Sequence, residues 1–242
     1  MKRWLIFLLA LVSYLWGGGI FWLKGLDSRV FSPAPAAAEA RIVKLPPPQY
    51  QGRVSVEEAI FKRRSVRRYR DAPLTLQEVS QLLWAAGGIT IDGVTAATRA
   101  YPSAGGAYPL EIYLIVGNIR DLSPGIYHYH GKRHELVLLK RGDFRQELAT
   151  AAWGQDMPEK APVSLVFTAV YFRTTQRYHQ RGAVRYVPMD AGHAGENVHL
   201  QAEALGLGTV VIGAFNDEAI KRLLGRKTEV PLYIMPVGRK RQ

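Results

Sequence analysis

The sequence predicts an α+β sandwich, a mixed central sheet flanked by helices, behind one N-terminal hydrophobic helix. Three observations carry this. β-Branched and aromatic runs recur between amphipathic helical patterns, helical patterns come both before and between those runs, and the chain opens on an uncharged stretch of bilayer length. With 242 residues, 48% of them hydrophobic, one buried core is within reach once the N-terminal segment is set aside. No internal repeat is present, so a single folded domain is expected.

Met1-Lys2-Arg3 precedes residues 4–23, an uncharged run of about 20 residues, which suffices for one bilayer crossing. Trp4, Trp16, Trp22 and Lys24 suit interfacial positions. The stretch Ser32-Pro-Ala-Pro-Ala-Ala-Ala-Glu-Ala40 reads as a linker. The apolar segment is either an uncleaved transmembrane anchor or a signal peptide cut near residues 36–38. The Ala triplet lies well beyond the apolar run, which favours the anchor. Lys2 and Arg3 favour a cytoplasmic N-terminus and an extracytoplasmic (periplasmic or exported) domain, while Lys24 and Arg29 on the far side weigh against it. The expected organisation is an anchor or signal at 1–24, a Pro/Ala-rich linker at 25–50 and the domain at 51–242.

Within the domain, Ser55-Val-Glu-Glu58 and Thr75-Leu-Gln-Glu78 have capping-box spacing, and each opens a helix. Leu76, Val79, Leu82 and Leu83 give the second helix an apolar face, closed by Gly87-Gly88. Residues 112–116 read as a buried strand, and 125–129 with 135–139 as a hairpin. A helix is expected over 144–153, a strand over 163–172, and a long helix over 189–205 with Asp190 as its N-cap. A strand at 209–212, a capped helix at 217–224 and a last strand at 232–237 complete the pattern.

The formal net charge is +12, concentrated at 62–70 and 221–242. Such a balance suits nucleic acid, an anionic membrane surface or an anionic cofactor. No nucleic-acid reader motif is present, which leaves a local anion site. The absence of cysteine excludes disulfides, thiolate metal sites and cysteine nucleophiles. His128 and His130 share a strand face, and His193 and His199 stand six apart. No carboxylate accompanies either pair at a familiar ligand spacing, so no metal site is expected.

Four segments can carry chemistry. Arg63-Arg-Ser-Val-Arg-Arg-Tyr69 supplies guanidiniums and a hydroxyl suited to a phosphate monoester; it is equally readable as a solvated helix end. Tyr101-Pro-Ser-Ala-Gly-Gly-Ala-Tyr-Pro109 is too rich in Gly and Pro for regular structure. It is either a connecting turn or a platform whose backbone approaches a flat ligand. It lacks the Gly-x-Ser-x-Gly elbow, so Ser103 is not expected to be a hydrolase nucleophile. In Asp190-Ala-Gly-His-Ala-Gly-Glu-Asn197, Gly192 and Gly195 permit close packing. The glycines at 206, 208 and 213 do not form a dinucleotide fingerprint, and no phosphate-loop motif occurs. Val237-Gly-Arg-Lys-Arg241 ends a strand in a basic tail.

In this order the four segments resemble the nitroreductase superfamily, and more narrowly its SagB/ThcOx-type dehydrogenase branch, over residues 55–239. The matching runs are Arg63-Arg-Ser-Val-Arg67, Pro102-Ser-Ala-Gly-Gly-Ala-Tyr-Pro-Leu-Glu111, Ala191-Gly-His193 with Asn197 followed by Leu205-Gly-Leu-Gly-Thr-Val-Val-Ile-Gly-Ala-Phe215, and Leu232-Tyr-Ile-Met-Pro-Val-Gly238. The resemblance implies a nitroreductase-like fold and a homodimer with flavin mononucleotide (FMN) at each of two subunit-interface sites. It assigns Arg63, Ser65 and Arg239 to the phosphate, with Arg64 and Gly238 beside them, and Arg67 to the ribityl chain and N1/O2 edge. Pro102, Ser103, Ala104 and Gly105 would come from the partner subunit to line the ring, and Gly213-Ala214 would approach flavin N5. The implied activity is ping-pong electron transfer to or from a small organic or peptide substrate. Azoline-oxidising members carry a Lys-Tyr pair, for which Arg177-Tyr178 is the nearest match, making Tyr178 the candidate catalytic residue. An Arg cannot shed its proton as that Lys must, which argues against azoline oxidation. The remaining alternatives are a dehydrogenase of a modified peptide and a non-catalytic flavin-binding or interaction domain.

Overall fold

Seven strands form the central sheet of the computed structural model, which describes residues 42–92 and 97–241. They are β1 (Ile42–Lys44), β4 (Leu110–Val116), β5 (Gly125–His130), β6 (Glu135–Arg141), β7 (Val163–Ala169), β8 (Leu207–Thr209) and β9 (Val230–Arg239), in the spatial order β1-β6-β5-β4-β7-β9-β8. A separate hairpin pairs β2 (Ile89–Asp92) with β3 (Ala97–Arg99). All ladders of the central sheet are antiparallel; its parallel component is a bridge from Ser65 to Thr209 at the β8 edge. The apolar span at 4–23 and the linker up to residue 41 lie outside the described residues. Among the described residues no helix is long and apolar enough to cross a membrane. Ile42–Lys44 pair with β6 and Leu45 is buried, so the fold takes in residues that the linker reading assigned to 25–50.

Both sheet faces are covered, which explains why the central strands read as continuous apolar runs. On one face Ile112, Leu114, Phe167 and Met235 pack under α2 (Leu76–Gly87) and α6 (Val187–Ala204). On the other, Tyr113, Ile115, Val166 and Ile234 pack under α3 (Arg145–Ala151) and α7 (Asp217–Leu224). Alternate residues of β4 thus feed opposite cores, as the two-residue period of a strand requires. The remaining helices are α1 (Val56–Lys62), the single turn α4 (Met157–Lys160) and α5 (Phe172–Arg181), which runs through a π-helical turn at Gly182–Tyr186 into α6.

Three expectations need correction. The strand expected at 209–212 lies instead at Leu207–Thr209, after Gly206 turns the chain at φ +69°. The strand expected over 163–172 stops at Ala169, and Phe172 already belongs to α5. Asp190 is not the N-cap of the long helix. That helix begins at Val187, continuous with the π-turn, so its first N–H groups have partners in the preceding turn and need no capping side chain. Asp190 is buried within its first turn.

Candidate functional site

The basic run at 63–70 leaves α1 as extended chain. Arg63 sits at the C-cap with φ −55° and ψ 136°, so Arg63 and Arg67 do not share a helical face. The segment is bound along the end of the sheet: Val66 N–H donates to Thr209 O (2.9 Å), and Arg70 N–H to Arg239 O (2.9 Å). Tyr69 Oη donates to Pro236 O at 3.1 Å. This approach depends on Gly208 and Gly238, which face each other across β8 and β9. A Cβ on Gly208 would stand 2.6 Å from Val66 Cβ, and one on Gly238 2.8 Å from the Tyr69 ring. Ser65 and Arg67 are left exposed beside β8. Arg64 turns back instead, donating from Nη1 to Phe61 O and Arg63 O (both 2.8 Å), which satisfies carbonyls at the end of α1.

Beside this segment lies a cavity of about 450 Å³ between α6 and the β8–β9 end of the sheet. Its lining includes Ala191, Gly195, Glu196, His199, Val211 and Tyr233. Gly195 is needed here because a Cβ would come 2.7 Å from Tyr233 Oη, which donates to Ala191 O. Close packing was expected at Gly192 also, but nothing stands within 4 Å of its Cβ position. Burial holds the His199 imidazole below its ordinary pKa, with Glu196 opposing that shift. Arg63 Nε is 3.8 Å from Glu196 Oε1, which places one predicted phosphate ligand at the cavity. Gly213 and Ala214 are exposed two and three residues beyond the lining residue Val211. Gln155 Nε2 donates to Ala214 O (3.0 Å) and Asn216 N–H to Ala151 O (2.8 Å), so the end of α3 and the turn after it fix this loop from behind.

Arg239 is not joined to Arg63 through any shared group. Its Nη2 donates to Glu78 Oε2 on α2 at 3.0 Å, whereas Arg63 faces α6.

The 101–109 loop is held elsewhere on α6. Ser103 Oγ donates to Asp190 Oδ2 (2.5 Å) and accepts from Tyr108 N–H (2.9 Å). Burial raises the Asp190 carboxyl above its ordinary range, against the hydrogen bonds from Ser103 and Ala104. Gly105 has φ +59°, and a Cβ there would meet Tyr178 Oη at 2.5 Å and Arg177 Nη1 at 2.9 Å. Tyr178 therefore lies directly on this loop, with its ring edge-on to Tyr186 at 4.9 Å.

Helical periodicity separates the two regions. Ala191, Gly195 and His199 face the cavity, whereas Asp190 and Asn197 project from the opposite side of α6. Asn197 Nδ2 donates to Ala85 O and to Ala100 O (3.2 and 2.8 Å). Within one chain, then, α6 stands between Pro102–Gly105 and the cavity. Sequence reasoning missed Gln155, Glu196, His199 and Tyr233 as parts of the site, since each is brought there by tertiary packing. It also missed that antiparallel pairing sets a carboxylate against a histidine, with His128 Nε2 2.6 Å from Glu111 Oε2.

With this geometry in place, residues 60–239 match the nitroreductase family. A Methanocaldococcus jannaschii protein named for the same family, MJ1384, is 46% identical over 187 residues, covering 77% of this chain and 92% of its own length. The trifolitoxin operon protein TfxC of Rhizobium leguminosarum bv. trifolii is 24% identical over 229 residues, 89% of this chain and 60% of that protein. Among solved structures, a nitroreductase-family protein of Ralstonia eutropha superposes with a TM-score of 0.72 at 29% identity, covering 90% of this chain and 97% of that one. The NADPH:FMN oxidoreductase of Vibrio harveyi gives a TM-score of 0.55 at 22% identity, over 77% of this chain and 69% of its own, a likeness of fold alone. Matched over most of its folded domain and nearly half identical to a relative along almost that relative's whole length, the chain belongs to the nitroreductase family.

Proposed function

We propose that the protein is an FMN-dependent oxidoreductase acting as a homodimer by a ping-pong mechanism on a small planar electrophile, such as a quinone or a nitro compound. The observation that carries this reading is the placement of the 63–67 segment against Thr209. It sets exposed cationic and hydroxyl groups next to a cavity of ligand size and an exposed glycine-containing loop. The residues present fit FMN. Gly213 has open space where a Cβ would stand, so its backbone can meet a flat ring, and Arg63 and Ser65 offer a cation and a hydroxyl to a phosphate monoester.

When bound, FMN supplies two-electron redox chemistry at N5. Arg63 and Ser65 would hold its phosphate, with Arg239, bonded here to Glu78, as a further donor. Arg67 would face the N1/O2 edge and offset negative charge there. The Gly213–Ala214 backbone, steadied by Gln155, would lie against the N5 side of the ring. Pro102, Ser103, Ala104 and Gly105 line the ring from the second subunit, in keeping with their separation by α6 from the cavity of their own chain. Arg63→Ala combined with Arg239→Ala should purify with less than a tenth of the wild-type FMN content, measured by absorbance of the released flavin. Full occupancy would remove both residues from the phosphate site.

A second reading is dehydrogenation of a modified peptide. It is favoured by the contact of Tyr178 with the loop assigned to the flavin ring. Arg177 in place of a titratable lysine weighs against it. The apolar span at 4–23 is proposed as a membrane anchor with the domain outside the cytoplasm. A C-terminal fusion reporter active only in the cytoplasm would reverse that orientation.

A further inference from the structure

A second cleft, of about 500 Å³, lies over β4 and β5 and shares none of its lining with the cavity at α6. Its walls carry Arg99, Tyr108, Glu111, His128, Lys132 and Arg173. Glu111 is already matched within the cleft: one oxygen accepts from Arg173 Nη2 and the other lies 2.6 Å from His128 Nε2. Burial opposes ionisation of this carboxyl, yet the His128 and Arg173 contacts hold it below its ordinary range. Arg173 is pinned further by donation from Nη1 to Tyr108 O at 3.2 Å. One cation therefore neutralises the one acid. Arg99 and Lys132 remain in excess, with no carboxylate partner among the described residues. The Arg99 guanidinium instead lies 5.1 Å from the centre of the Tyr108 ring.

Tyr108 is itself unusual. Its φ of +44° lies in the left-handed region, which a bulky residue adopts only when its surroundings enforce it. Ser103 Oγ on its N–H and Arg173 on its carbonyl do so here. The strained backbone presents an aromatic ring beside the two uncompensated cations. A purely structural ion-pair site would need Glu111, His128 and Arg173 alone.

We propose that this cleft binds an organic anion, a carboxylate or phosphate attached to a planar ring, with Arg99 and Lys132 on the oxyanion and Tyr108 against the ring. The site is distinct from the one proposed for FMN and takes its ligand whether or not flavin is present. Isothermal titration of the full chain in detergent with benzoate, and separately with phenyl phosphate, tests it. At least one probe should bind once per chain, and the tighter of the two identifies the anion type. Arg99→Gln and Lys132→Gln should each weaken binding about tenfold, while Arg99→Lys keeps most of the affinity. Arg120→Gln, which removes an equal charge from an exposed position outside the cleft, should leave it unchanged. Flavin content of the same samples should be equal in Arg99→Gln and wild type, so a flavin-free protein that still binds the probe would overturn the FMN reading and not this one. Absence of heat with both probes, or an equal loss in Arg120→Gln, would overturn the assignment.

Discussion

Gly208 and Gly238 show how single residues build the candidate site without touching a ligand. They lie opposite each other on neighbouring strands, and their missing side chains make the bed on which Val66 and Tyr69 rest. Of the glycines at 206, 208 and 213, which form no dinucleotide fingerprint, Gly208 serves packing. Gly208→Ala forces Val66 to move, and should cost about 1–3 kcal/mol in denaturant unfolding while loosening the segment that carries Arg63 and Ser65. Asp190 offers a pH signature. Its raised carboxyl pKa means that the folded state prefers the neutral acid. The stability tied to this group is complete below the ordinary carboxyl range and is lost as pH rises through the raised value. Asp190→Asn keeps an acceptor for Ser103 and cannot ionise. Relative to wild type it should gain stability between about pH 4 and neutrality, as read from denaturation midpoints. A difference that stays flat over that range would contradict the assignment.

At the scale of elements, legibility followed local signals. Thr75-Leu-Gln-Glu78 forms a complete capping box, with Thr75 and Glu78 bonded reciprocally. Glu78 also accepts from Arg239, so one helix start anchors the end of the last strand. Thr75→Ala should cost about 1 kcal/mol in a denaturant titration, and an unchanged midpoint would show that the cap adds nothing. The β5–β6 hairpin and α7 were readable for similar reasons, being bounded by turn residues or capped by Asn216. Other elements were not. β1 has three residues and gains its stability from β6. α5 lacks an apolar stripe, and its residues 172–181 bury only Thr174, so periodicity had little to report. The strand expected at 209–212 is displaced to Leu207–Thr209, following Gly206 at φ +69°, while Ile212 rejoins the sheet through an isolated bridge to Ile234. For the candidate site, the basic run at 63–67 and the glycines at 206, 208 and 213 stood out in the sequence, whereas the opposite facing of Asp190 and Gly195 on α6 required the packed helix.

At the scale of the whole molecule, the proposed dimer needs an exposed apolar face, and among the described residues α1 offers one. On α1, Val56, Ile60 and Phe61 are 64%, 56% and 76% exposed, and the only buried residue of that helix is Ala59. Apolar side chains grouped on one short helix mark an interaction face more often than bulk surface. In the proposed dimer Phe61→Glu should weaken self-association by about tenfold or more, as measured by sedimentation. Because residues 102–105 and the α6 cavity cannot meet within one chain, the same variant should lose flavin as it loses the dimer. Whether the protein is a flavin enzyme is read from the redox spectrum of the full chain purified in detergent. The protein should be yellow, with one FMN per chain, bleach with dithionite and regain its colour on adding a quinone. A colourless dimer that takes up no added FMN would contradict the FMN reading.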